Sequence, residues 1–305
     1  MTQNDVCIVH NKNRGKLKEQ IMKIRKLKKY LKNCSKHLRN NEFKLALQQY
    51  KRIQTNQLSS FGLVNRGIYY SELGLYTQAI RSFKQSIKIN DKNYSAYYNI
   101  GIAYSRLNLQ RKAIRNFTKV IYFKPNHTEA YCNRGSCYMA LGDYFNAISD
   151  LTKAIEFNPE YLEAYGNRAI AYLFSKNFEE SIFDSDIVTI LNPKCIEGYE
   201  NKGVAYSFLE EHDSAIYNFS KVIELNPFSY TAYHSRAHEY SLISQFNLAL
   251  NDYTKAIELA PLKDKGILYE SRAKLYKQYD MKEKAKEDLI NAKKYSEKDY
   301  KIIEL

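Results

Sequence analysis

A 34-residue period constrains this chain more than any other feature. Ala79-Ile80, Ala113-Ile114, Ala147-Ile148 and Ala215-Ile216 lie on one grid, Ser181-Ile182 fills the gap in it, and Ala249-Leu250 continues it. Prolines keep the same beat at Pro125, Pro159, Pro193, Pro227 and Pro261. Small residues follow it at Gly67, Gly101, Gly135, Ala169, Gly203 and Ala237, and tyrosines at Tyr70, Tyr104, Tyr138, Tyr172, Tyr206 and Tyr240. Six blocks therefore fill residues 60–263 without a gap. Such a period means stacked units, each burying its apolar face against its neighbours.

The spacing inside a block is helical. Tyr97, Ile100 and Tyr104 fall at i, i+3, i+7, one stripe of a helix. Ala113, Phe117, Val120 and Ile121 make a second stripe, which Pro125 then stops. Gly101 and Ala113 stand where the two backbones are expected to approach most closely. Each block reads as a helix–turn–helix hairpin, so the predicted fold class is all-α.

The run Tyr131, Asn133-Arg134-Gly135, Tyr138, Leu141-Gly142, Tyr144, Ala147, Leu151, Ala154 and Pro159 resembles the signature of the tetratricopeptide repeat (TPR) family. Leu63, Tyr97, Tyr131, Tyr165, Tyr199 and Tyr233 stand where that family often places tryptophan, which this chain lacks. The resemblance implies a right-handed solenoid of about eight hairpins: 27–59, 60–93, 94–127, 128–161, 162–195, 196–229, 230–263 and 266–299. The first is degenerate, resting on Cys34, Ala46, Tyr50 and Ile53, and Asp264-Lys265 is an insertion before the last. A basic extension, 1–26, precedes the array and a short tail, 300–305, follows it. Ser185 is a departure, replacing the Phe83, Phe117, Leu151, Phe219 or Tyr253 of other blocks. A looser hairpin or a partner contact is expected there.

The repeats can be compared with one another. Position 7 carries Arg66, Ile100, Arg134, Arg168, Lys202, Arg236 and Arg272, and position 23 carries Ser82, Asn116, Asp150, Asp184, Asn218, Asp252 and Asp288. Every Asp coincides with an Arg. Ion pairs inside the hairpin are therefore predicted for Arg134–Asp150, Arg168–Asp184, Arg236–Asp252 and Arg272–Asp288, since arginine bridges a carboxylate with two parallel bonds. The alternative is that these arginines contact a ligand.

Position 6 carries Asn65, Asn99, Asn133, Asn167 and Asn201, then Ser235 and Ser271. Asparagine is a mediocre helix former, and its amide supplies a donor and an acceptor that match extended peptide backbone. By resemblance to superhelical members of the family, these five would line a concave peptide-binding groove, joined by Tyr98, His234 and His238. The alternative is that they satisfy polar groups between hairpins. Positions 5 and 9 read Val64/Ile68, Tyr98/Ile102, Cys132/Ser136, Gly166/Ile170 and Glu200/Val204. The cations of the family's carboxylate clamp for chaperone C-termini are missing, so that function is not expected. His234 and His238 lie one helical turn apart but need a third ligand from another repeat, so no metal is expected. Phosphate loops, nucleophile elbows and HExxH motifs are absent from the sequence. No catalysis and no cofactor are expected.

Charge refines the choice of partner. The formal +14 is made of +21 over residues 1–127, −9 over 128–263 and +2 over 264–305. A uniformly basic nucleic-acid binder is excluded; a protein partner with segregated charge fits better. Nucleic acid or an anionic membrane could engage only residues 12–52, where Leu17, Ile21, Ile24, Leu27 and Leu31 form an apolar stripe among lysines. Capping the solenoid is the plainer role for that stretch. Cys7, Cys34, Cys132, Cys137 and Cys195 show no CxxC spacing and read as reduced thiols. With no transmembrane run and no secretory core in MTQNDVCIVH, the expectation is a cytoplasmic adaptor or scaffold.

Overall fold

A computed structural model describes residues 58–296 and the isolated Gln48. The expected extension 1–26, the degenerate repeat 27–59 up to residue 57, the 12–52 attachment region, and residues 297–305 lie outside the described residues. Among the described residues there are fourteen α-helices and no strand. The chain divides into two compact units, Met1–Leu141 and Gly142–Leu305.

The first unit contains α1 (Ser60–Glu72), α2 (Tyr76–Ile89), α3 (Tyr94–Arg106), α4 (Gln110–Phe123) and α5 (Thr128–Met139). Successive helices pack against one another, and α1, α3 and α5 also touch as a row of first helices. The core is Val64, Ala79, Phe83, Ala96 and Ile100, continued by Ala113, Phe117, Val120, Ala130 and Cys137. Glycine at position 8 has a specific task. A Cβ on Gly101 would stand 2.6 Å from the Phe117 ring, and one on Gly67 2.3 Å from Phe83. The glycine thus admits a ring from the second helix of its own hairpin, rather than a second backbone.

The second unit contains α6 (Tyr144–Phe157), α7 (Leu162–Phe174), α8 (Phe178–Leu191), α9 (Ile196–Phe208), α10 (His212–Leu225), α11 (Tyr230–Leu242), α12 (Phe246–Leu259), α13 (Lys265–Gln278) and α14 (Lys282–Ser296). Gly203 meets Phe219 as Gly101 meets Phe117. Ala237, Ala249, Tyr253 and Leu275 form one buried cluster, and Ala256, Ile257, Ala260 and Leu268 another. The Asp264-Lys265 insertion falls at the end of a 3₁₀ turn, Leu262–Asp264, whose Asp264 carboxylate accepts from the Tyr230 hydroxyl at 2.8 Å.

Local chemistry sets the helix ends. Asn93 and Ser229 cap α3 and α11 by accepting from Ala96 N and Ala232 N. After α4, α6, α8 and α10, residues Lys124, Asn158, Asn192 and Asn226 leave the helical region before the proline, which disfavours helical backbone in the residue preceding it. The turn inside a hairpin needs one left-handed residue. Gly74 and Gly142 supply it without strain, whereas Asn108, Lys176, Glu210, Ser244 and Asp280 adopt positive φ with a side chain in place.

Candidate functional site: the first-helix face of the repeats

The position-7 cations sit at the centre of a repeated polar staple. Arg168 grips Asp184 through Nε (2.7 Å) and Nη2 (2.8 Å), and its Nη1 donates to Thr152 of the preceding helix at 2.9 Å. Arg236 does the same to Asp252 and Ser220, and Arg272 to Asp288 and Thr254. Each guanidinium also lies between two tyrosine faces: Tyr165 and Tyr172, Tyr233 and Tyr240, Tyr269 and Tyr276. These staples therefore join adjacent hairpins as well as closing their own. Burial pushes the Asp184 carboxyl above the ordinary carboxylate value, and the Arg168 hydrogen bonds pull against that rise.

Where the acid is missing the chain improvises. Arg66 donates to Ser82 and to Gln85, and Lys202 reaches back to Asp186 and Thr189, both at 3.0 Å. Arg134 and Asp150 belong to different units; within its own unit Arg134 donates to Thr118 at 2.9 Å. An Arg134–Asp150 pair stays a proposal.

The five asparagines of position 6 are all half-buried. Asn99 uses its Nδ2 to donate to Ser95 O, and Asn133 donates to Glu129 O and to the Tyr98 hydroxyl. In both, the bonds go through Nδ2, and Oδ1 stays an acceptor without a bond among the described residues. Asn65 and Asn201 make no side-chain hydrogen bond among the described residues, while Asn167 has a contact of its own. Tyr98 stacks on His127 (ring centroids 5.0 Å) and meets Phe117 edge-on at 5.8 Å. His234 takes the equivalent place beside Tyr253, with Nε2 3.0 Å from the Ser271 hydroxyl. Burial holds His234 below the usual histidine value, helped by nearby His238, which is exposed. Among the described residues no three His, Cys, Asp or Glu side chains gather in a way that could hold a metal.

Sequence reasoning missed two features. Glu239 is 1% exposed and binds the Ser207 hydroxyl at 2.6 Å and His212 Nδ1 at 2.8 Å, tying α9, α10 and α11 together. A cavity of about 260 Å³ opens between α7, α8 and α9, lined by Gly166, Asn167, Ile170, Ser185, Cys195 and Asn201 among others. The Ser185 substitution signals that cavity. There α8 runs as an unbroken helix, and the missing ring leaves space beside it.

Family profiles described as tetratricopeptide repeat match residues 94–127, 128–161, 196–229 and 230–261, and one described as TPR repeat matches 68–108. The chain belongs to the tetratricopeptide repeat family. Solved structures agree on the fold. A TPR protein from Parabacteroides merdae is 22% identical, covers 78% of this chain and 93% of its own, and superposes with a TM-score of 0.62. YrrB, described as a TPR protein with an unusual peptide-binding site, is 20% identical over 61% of this chain and 96% of its own, with a TM-score of 0.55. The C-terminal part of a TPR protein from Cytophaga hutchinsonii is 17% identical over 75% and 95%, with a TM-score of 0.63. No curated protein sequence matches this TPR chain significantly. No described helix is long and apolar enough to cross a membrane.

Proposed function

We propose that this TPR protein is a non-catalytic scaffold that holds an extended segment of a partner protein against the first helices of its repeats. The observation that carries this reading is the position-6 row. Asn65, Asn99 and Asn133 recur on the first helices of one unit, and Asn167 and Asn201 on those of the other. Asparagine is a mediocre helix former, so its recurrence at one site five times over calls for a reason beyond helix formation. The Oδ1 acceptors of Asn99 and Asn133 match the N–H groups of an extended chain, which recur without regard to sequence. Membership of a family that includes YrrB, with its peptide-binding site, agrees with this use of the fold.

Charge narrows the choice of partner in the same reading. A protein partner with segregated charge complements the +21 of residues 1–127 and the −9 of residues 128–263. A cytoplasmic setting suits the free thiols of Cys137 and Cys195. Proteins that co-purify with the wild type should be compared with those captured by a variant carrying Asn99→Ala, Asn133→Ala and Asn167→Ala. Loss of a discrete set supports the row; an unchanged set contradicts it.

A further inference from the structure

The repeats show what belongs in the cavity beside Ser185. In α3/α4, Tyr98 at position 5 lies on Phe117 at position 24 and His127 at position 34, and its hydroxyl accepts from Asn133 at position 6 of the next repeat. In α11/α12, His234 and Tyr253 occupy positions 5 and 24, and the imidazole reaches Ser271 of the next helix pair. Elsewhere positions 5 and 24 read Val64/Phe83, Cys132/Leu151 and Glu200/Phe219. In α7/α8 they read Gly166 and Ser185, so both large side chains are missing at once.

The cavity stands in their place. Gly166, Ser185, Cys195 and Asn201 line it, the counterparts of Tyr98, Phe117, His127 and Asn133. A Cβ on Gly166 would meet nothing within 4 Å. The Ser185 hydroxyl is fully buried and has no hydrogen-bond partner, and the Asn201 amide makes no bond among the described residues. At about 260 Å³ the space exceeds the roughly 150 Å³ of an apolar cavity that takes up benzene. Exposed Glu163 and Glu197 flank the opening, and none of Glu163, Glu197 and Glu200 forms an ion pair among the described residues. Burial and Glu197 raise the Glu200 carboxyl above its usual range, as expected of an acid without a cation.

We infer that this cavity takes one tyrosine side chain from a partner segment whose neighbouring residues are lysine or arginine. Its ring fills the space that Tyr98 fills in its own hairpin, its hydroxyl accepts from Asn201, and its basic neighbours meet Glu163, Glu197 and Glu200. This deepens the scaffold reading and rests on it, naming one anchor of the bound segment.

The test is an NMR titration of the full chain with p-cresol, the tyrosine side-chain analogue, and with the peptides Lys-Lys-Tyr-Lys-Lys, Lys-Lys-Ala-Lys-Lys and Glu-Glu-Tyr-Glu-Glu. The expected result is that p-cresol and the first peptide shift the side-chain amides of Asn167 and Asn201. The alanine and glutamate peptides should bind at least about tenfold more weakly. Gly166→Tyr should supply the ring in cis and abolish both responses; Ser185→Tyr, which copies the Ala237–Tyr253 arrangement, should do the same if the first variant fails to fold. The inference is overturned if p-cresol leaves both amides unmoved, if a folded filled variant responds as the wild type does, or if the alanine peptide binds equally well. Partner capture that survives Gly166→Tyr but falls with Asn99→Ala and Asn133→Ala would overturn the pocket and leave the asparagine row standing.

Discussion

The Asn133 amide donates to the Tyr98 hydroxyl at 3.1 Å, so position 6 of one repeat reads position 5 of the repeat before it. The same amide donates to Glu129 O one turn back in its own helix, leaving only its carbonyl for a ligand. Tyr98→Phe should therefore cost about 0.5–1.5 kcal/mol in a denaturant titration. It should also release one Asn133 proton for a partner, so affinity is expected to hold or rise while stability falls.

Arg236 and Asp252 make a two-bond pair that is largely withdrawn from water. Replacing Arg236 with leucine strands a buried carboxylate and should cost about 3–5 kcal/mol. Arg236→Lys keeps the charge but loses the fork and the donor to Ser220, so an intermediate loss is expected. Midpoints in urea, measured for both variants, give the order.

Ser181 stands where the other blocks have Ala79, Ala113, Ala147, Ala215 and Ala249. Its hydroxyl is buried without a hydrogen-bond partner. Ser181→Ala removes an unsatisfied polar group and adds helix propensity, so it should stabilise the chain by about 1 kcal/mol. A thermal melt that falls would show that the hydroxyl has a role in packing.

His234 is held below the ordinary histidine value of 6.5, first by burial and then by His238. An unfolded chain takes up its proton near 6.5, and the folded one does so only at lower pH. The unfolded state thus binds more protons in that window, and stability should fall as pH drops from about 7 through it. His234→Gln should flatten this slope, which denaturation midpoints at several pH values would report.

Strict periodicity decided what could be read without coordinates. The hairpins and the Arg168–Asp184, Arg236–Asp252 and Arg272–Asp288 alignments repeat in register, so comparing one block with the next exposes them. The Thr118, Thr152, Ser220 and Thr254 hydroxyls, which join the arginines from the preceding hairpin, lie on the same 34-residue grid and were legible in the same way. Contacts outside the grid do not announce themselves: Ser207, Glu239 and His212 converge from three helices. The cavity was half legible. Ser185 stood out in its column, but Gly166 lies in another, and only packing shows that the two absences share one space.

The central claim is that the first-helix face holds a partner chain in extended form. Photo-crosslinking from a benzoylphenylalanine at position 99 or 133, with position 122 on the exposed Tyr122 side as control, tests it most directly. The account predicts that positions 99 and 133 capture neighbouring residues of one partner segment and that position 122 captures none of it. Equal capture from position 122, or capture of unrelated segments from 99 and 133, would contradict it.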